Sequence, residues 1–216
     1  MIVKHGRDLS VGAALWILNV QYFIVQVIAA ATWTKGTGYN WANNTISDLA
    51  NTRCGFYGSR FVCSPAHVAM NISFMVLGIT IIGGALLLGK RLTSDLIGRL
   101  GFLCIAATGV GAILIGLFPE NSVSALHTAG ATLSFLLGNT GMIVLGISLD
   151  RLPKRLRVYT VLSGIVGLVA LVFFLENSYG GLGIGGMERI VAYPQTIWMI
   201  VCGGYLLLGH QAEDAR

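Results

Sequence analysis

Two long apolar runs meet at Phe118-Pro119-Glu120-Asn121 with almost nothing between them, and His127 follows six residues after Asn121. A carboxyl group and an imidazole are thereby placed where two membrane helices turn, at the rim of the bilayer. Glu120, Ser124, His127, Ala131 and Ser134 follow at steps of four and three, so they share one face of the second helix. A carboxyl whose pKa is raised by apolar surroundings, partnered by an imidazole, suits proton transfer. The reactions in reach are protonation, isomerisation or hydrolysis of a substrate dissolved in the lipid phase. Ionisable residues at membrane depth are read as functional by default.

The same end of the chain's topology gathers further polar groups. Glu120, His127, Asp48 and Glu188 are the candidate catalytic residues. Arg189, as an anchor for an anionic group, joins Asn121 and His67 as the candidate substrate-binding residues. Three chemistries compete for this set. His67, His127, Asp48 and Glu120 are ligand types that zinc accepts, but no two of them stand at a spacing such as His-Glu-x-x-His. No residue is therefore assigned to a metal, and the sequence specifies no cofactor. The second chemistry is acid–base catalysis by Glu120 and His127, with Asp48 as helper. The third is structural: Glu188 or Glu120 pairs with Arg189, the histidines bond neighbouring carbonyls, and the network fixes helix packing.

The elements that must position these groups are membrane helices. Of 216 residues, 55% are hydrophobic and 11% charged, against about 25% charged in a typical soluble domain. The net charge of +5 comes from basic residues flanking apolar runs, which fits the positive-inside rule and not a nucleic-acid partner. The 29 glycines suit helices whose backbones approach closely in lipid. Six spans are expected, at about 9–33, 65–89, 94–118, 121–149, 153–175 and 188–210, forming one all-α domain over 1–216. Gly12, Asn19, Gln26 and Trp33 repeat every seven residues along the first span and mark an inward polar seam. Pro194 should kink the last span.

The one long loop, 34–64, holds Thr45 and Asp48 in a capping-box-like pair that starts a short helix from Ile46 to about Asn51. It also holds Cys54 and Cys63, which read as a disulfide if the loop faces an oxidising compartment. Lys4, Arg7, Lys90, Arg91, Arg99, Arg151, Lys154, Arg155, Arg157 and Arg216 fall on one side, and Lys35, Arg53, Arg60 and Arg189 on the other. That bias puts both termini in the cytoplasm and the cysteine loop outside.

Taken in order, Ile46-Ser47-Asp48-Leu49, Phe118-Pro119-Glu120 with His127, and Glu188-Arg189 with Tyr193-Pro194 and Trp198 resemble the prokaryotic membrane-protein family called domain of unknown function 998. The resemblance covers nearly the whole chain. It implies a six-helix membrane protein and a shared set of outer polar residues, matched here by Asp48, Glu120, His127, Glu188 and Arg189. Cys54, Cys63 and His67 lie outside that pattern. The expected partners are the membrane and a lipid or other hydrophobic small molecule. The functions in view are an enzyme on a lipid or isoprenoid-like substrate, or a lipid- or partner-binding protein whose polar network is structural.

Overall fold

The computed structural model describes residues 6–33, 36 and 38–214; Lys4, Lys35 and Arg216 of the charge count lie outside them. Six helical spans are long and apolar enough to cross a membrane. The first comprises α1 (Arg7–Ile17) and α2 (Val20–Ala31), then follow α3 (His67–Leu92) and α4 (Leu96–Leu117). The fourth runs from α5 (Ser124–Thr132) through a π turn, Leu133–Leu137, into α6 (Gly138–Ser148). The last two are α7 (Lys154–Leu175) and α8 (Gly183–Asp214).

Side chains such as Leu175, Ile79 and Leu208 lie largely exposed on the flanks of the bundle, as helices bathed in lipid allow. The glycines do bring backbones together. A methyl on Gly109 of α4 would stand 2.6 Å from the Gly78 carbonyl of α3, and one on Gly130 of α5 would stand 2.7 Å from that of Gly111.

The polar seam of the first span faces inward, and Gly12, Asn19, Gln26 and Trp33 are all buried. Thr80 donates to Asn19 Oδ1 at 2.5 Å and Tyr193 donates to Gln26 Oε1 at 2.8 Å. The α-helix lapses at Leu18-Asn19, so the expected single helix is two. Trp198 is buried as well. Trp198 Nε1 donates to Thr160 at 2.7 Å, a partner the sequence alone does not reveal. Asp95 caps α4 by accepting from Gly98 N at 2.9 Å. The sixth helix begins five residues earlier than expected, because Gly185 and Gly186 donate their N–H groups to the Ala42 carbonyl and extend the helix into the glycine-rich stretch.

The first residues of α1 and the turns after α3 and α6 share one end of the bundle, where Arg91 pairs with Asp8 at 2.6 Å and Arg157 with Asp150 at 2.8 Å. The opposite end is roofed by the long loop. Its short helix is a 3₁₀ turn of four residues, Ser47–Ala50. It also holds an unexpected antiparallel hairpin, β1 (Gly55–Tyr57) and β2 (Arg60–Val62), with Gly55 opposite Val62 and Tyr57 opposite Arg60. The hairpin turns through Gly58 at φ 58°, a conformation that glycine adopts without steric cost. Cys54 and Cys63, next in the register after Gly55 and Val62, form a disulfide with their Cα atoms 4.1 Å apart.

Cross-linking a loop this short restricts the unfolded chain by roughly 3 kcal/mol. Reduction, or the double replacement Cys54→Ser/Cys63→Ser, is therefore expected to destabilise the protein by roughly that free energy, seen in detergent as a lower thermal midpoint. A reductant that leaves the midpoint of the wild type unchanged would contradict this.

Candidate functional site

Asp48 lies at the centre of the roofed end and is fully buried. Thr45 N donates to Asp48 Oδ2 at 3.0 Å while Asp48 N donates to Thr45 Oγ1 at 3.1 Å, the reciprocal box that the sequence suggests. Arg60, reaching in from β2, donates twice: Nε to Oδ2 at 2.9 Å and Nη2 to Oδ1 at 3.0 Å. This two-pronged geometry is the strong form of a carboxylate–guanidinium pair. Asn44 Nδ2 adds a fourth donor at 3.0 Å.

Glu120, from the Pro119–Ser122 turn, is buried beside them. Its Oε1 accepts from Asn51 Nδ2 at 3.3 Å, and Oε2 lies 4.0 Å from Arg60 Nη2. Burial first, then a shared hydrogen bond with Asp48 and the charge of Asp48, push the Glu120 carboxyl up to about 9. Burial would raise Asp48 too, but the Arg60 fork, the hydrogen bond from Glu120 and the Asn44 amide reverse it and hold Asp48 below the usual carboxylate range. At neutral pH the pair thus carries one proton, on Glu120, and one charge, on Asp48, which Arg60 balances.

Arg60 takes the role that the structural reading of the sequence gave to Arg189. Among the described residues Arg189 meets no carboxylate. Its Nη1 donates to the carbonyls of Trp41, Asn44 and Gly185 at 2.8, 3.1 and 2.7 Å, its Nη2 donates to the Tyr39 hydroxyl, and its Cζ lies 4.8 Å from the Trp41 ring centre. It clamps the loop onto α8. Its neighbour Glu188 faces a different surface and accepts from Ile46 N, with Ser47 Oγ 3.4 Å from the other carboxyl oxygen.

His127 projects from the first turn of α5. A carbonyl can only accept, so the contact of His127 Nδ1 with the Phe118 carbonyl at 3.0 Å puts the proton on Nδ1. In the neutral ring Nε2 is then the acceptor, and Ser47 Oγ stands 3.0 Å from it. Glu120 and His127 share no hydrogen bond. His67 Nδ1 donates to the Ser64 carbonyl at 2.9 Å at the start of α3, and Asn121 bonds Thr52 on the exposed rim at 3.0 Å. Among the described residues no three of His, Cys, Asp or Glu converge where a metal ion could be held.

Between this network and the spans lies a cavity of about 350 Å³. Thr45, Ser47, Arg60, Glu120, His127 and Glu188 line its polar side, and Leu136, Leu171, Phe174 and Leu175 line its apolar side. Ser124, His127 and Ala131 reach it from one helix face, as the spacing suggests, whereas Glu120 comes from the turn before that helix. The π turn carries Leu136 to its wall, and such turns recur at functional sites. Arg60 and Ser47 are the two site residues that sequence reasoning missed. The only local signal for either was the turn glycine Gly58, which announces the hairpin that delivers Arg60.

Residues 19–205 match the family described as "Protein of unknown function (DUF998)". The chain belongs to that family. No curated protein and no solved structure matches it. This DUF998 protein is a multi-pass membrane protein, with six apolar helices around a buried polar network. The family match begins at Asn19, the break in the first span, and takes in every residue of the cavity described above.

Proposed function

We propose that this protein binds a neutral amphiphile, an uncharged polar head on a hydrocarbon chain, in the cavity beneath the loop. On this reading the Asp48–Arg60–Glu120 network is the scaffold of the roof. The carrying observation is the two-sided lining of the 350 Å³ space, polar on the side of the loop and aliphatic and aromatic on the other. Its volume falls in the range of small-molecule sites, about 300–1,000 Å³. The charge state favours an uncharged head. Arg60 is balanced by Asp48, Glu120 holds its proton at neutral pH, and Arg189 is spent on loop carbonyls. A phosphate would find no uncompensated cation here.

The acid–base reading of Glu120 with His127 has less support, since each is bonded to other partners. The bias of Lys and Arg toward the other end supports an extracytoplasmic face for the cavity, and the disulfide agrees with an oxidising compartment.

A monoacylglycerol added to the purified protein at a hundredfold excess over Kd is expected to stabilise it by roughly 3 kcal/mol. The replacement Ala131→Phe, which fills the cavity, should abolish that shift. An equal shift in both proteins, or none in the wild type, would contradict the proposal.

A further inference from the structure

Ser47 sits on the cavity wall with two constraints on its backbone. On one side the Ile46 N–H is bonded to Glu188, and on the other Asp48 N and Thr45 N are closed into the reciprocal box with their side chains. Its hydroxyl is therefore delivered to the cavity by a fixed turn. The group it meets is His127 Nε2, at 3.0 Å, and His127 is itself held by the Phe118 carbonyl on Nδ1. A hydroxyl, a base within hydrogen-bond reach and a third group fixing the tautomer of that base are the parts of an activated serine nucleophile. Glu188 Oε1 is farther from Ser47 Oγ, at 3.4 Å, so the imidazole is the better-placed acceptor of the proton.

We infer that Ser47 and His127 form a nucleophile–base dyad that cleaves an ester of the amphiphile held in this cavity. The inference rests on the binding reading above and adds a reaction to it. Ser47 Oγ attacks the ester carbonyl carbon while its proton passes to His127 Nε2. The bond from that carbon to the alcohol oxygen breaks, and the departing alcohol takes the proton from His127. Water, deprotonated by the same imidazole, then attacks the acyl-serine, releasing a fatty acid and restoring Ser47. Water is the only co-reactant and nothing is oxidised or reduced.

The test uses the full chain in lipid nanodiscs and a long-chain alkyl fluorophosphonate, which phosphonylates activated serines, with the adduct located by mass spectrometry. The expected result is modification at Ser47 with a rate that rises with pH through one ionisation. That modification should be absent in Ser47→Ala and slowed at least about 100-fold in His127→Gln. Thermal stabilisation of the wild type by monoacylglycerol, measured on the same samples, reports binding separately from the reaction. Should the wild type be stabilised by the lipid yet stay unmodified at Ser47, the dyad is overturned and the binding reading survives. Should neither stabilisation nor modification occur, both fall. Modification of Ser47 at an equal rate in a folded His127→Gln protein also overturns the dyad.

Discussion

Replacing Arg60 by methionine is expected to cost the folded protein on the order of 3 to 5 kcal/mol. The reason is what it leaves behind. Asp48 is fully buried, and two of its hydrogen bonds come from the Arg60 guanidinium. Without them a carboxylate sits in the interior with Asn44, Thr45 N and the Glu120 proton as its remaining donors. Asp48→Asn alone should be costly for the mirror-image reason, since the Arg60 charge then faces the protonated Glu120. The double variant Asp48→Asn/Arg60→Met removes both charges, and much of the loss should return, because a buried ion pair contributes little net stability over a neutral replacement. Thermal melts of the four proteins in one detergent give the coupling energy directly. Two single losses that simply add in the double variant would show that the pair does not hold the roof.

The second large effect is on pH dependence. The folded-state pKa of Glu120, about 9, stands above its ordinary 4.5. The contribution of this group to stability is therefore complete below pH 4.5 and is lost as the pH rises toward 9. Asp48 behaves oppositely: its carboxyl is held below its ordinary 3.8, so its contribution is present above that pH and is lost on further acidification. The wild type should be most stable between pH 4 and 5, to the extent that these two groups decide. It should then lose on the order of 3 kcal/mol by pH 7. Glu120→Gln carries an amide that can donate to Asp48 and accept from Asn51 without titrating. Its melting point should fall less than that of the wild type from pH 5 to 9 and should exceed it at the alkaline end. Superimposable profiles for the two proteins would mean that Glu120 is not the group that holds the proton.

The membrane architecture was legible because lipid imposes one solution on every apolar run, and six such runs stand in this chain. The first span shows how far periodicity reaches. A seven-residue repeat of Gly12, Asn19, Gln26 and Trp33 predicts an inward face, and all four are buried. Asp48 was legible too, since its box with Thr45 is local. What stayed hidden is what depends on distant chain segments. Arg189 follows Glu188 and invites pairing, but consecutive helix residues point to different faces, and the two reach separate partners. The cation that does the pairing, Arg60, arrives through a hairpin whose strands are three residues each, too short for alternation to announce them. Ser47 meets His127 across 80 positions of sequence, and no spacing rule marks a serine at that separation. The hairpin also explains the Cys54–Cys63 bond: the register that pairs Gly55 with Val62 sets the two cysteines opposite each other.

The central claim is that an amphiphile occupies the space under the loop. A neutral monoacylglycerol carrying a diazirine along its chain, irradiated with the protein in nanodiscs, tests it most directly. The expected adducts are on Leu171 and Phe174, half-buried residues of the apolar cavity wall, with their loss in Ala131→Phe. Adducts confined to lipid-facing side chains such as Ile79 and Leu103, and unchanged by Ala131→Phe, would contradict it.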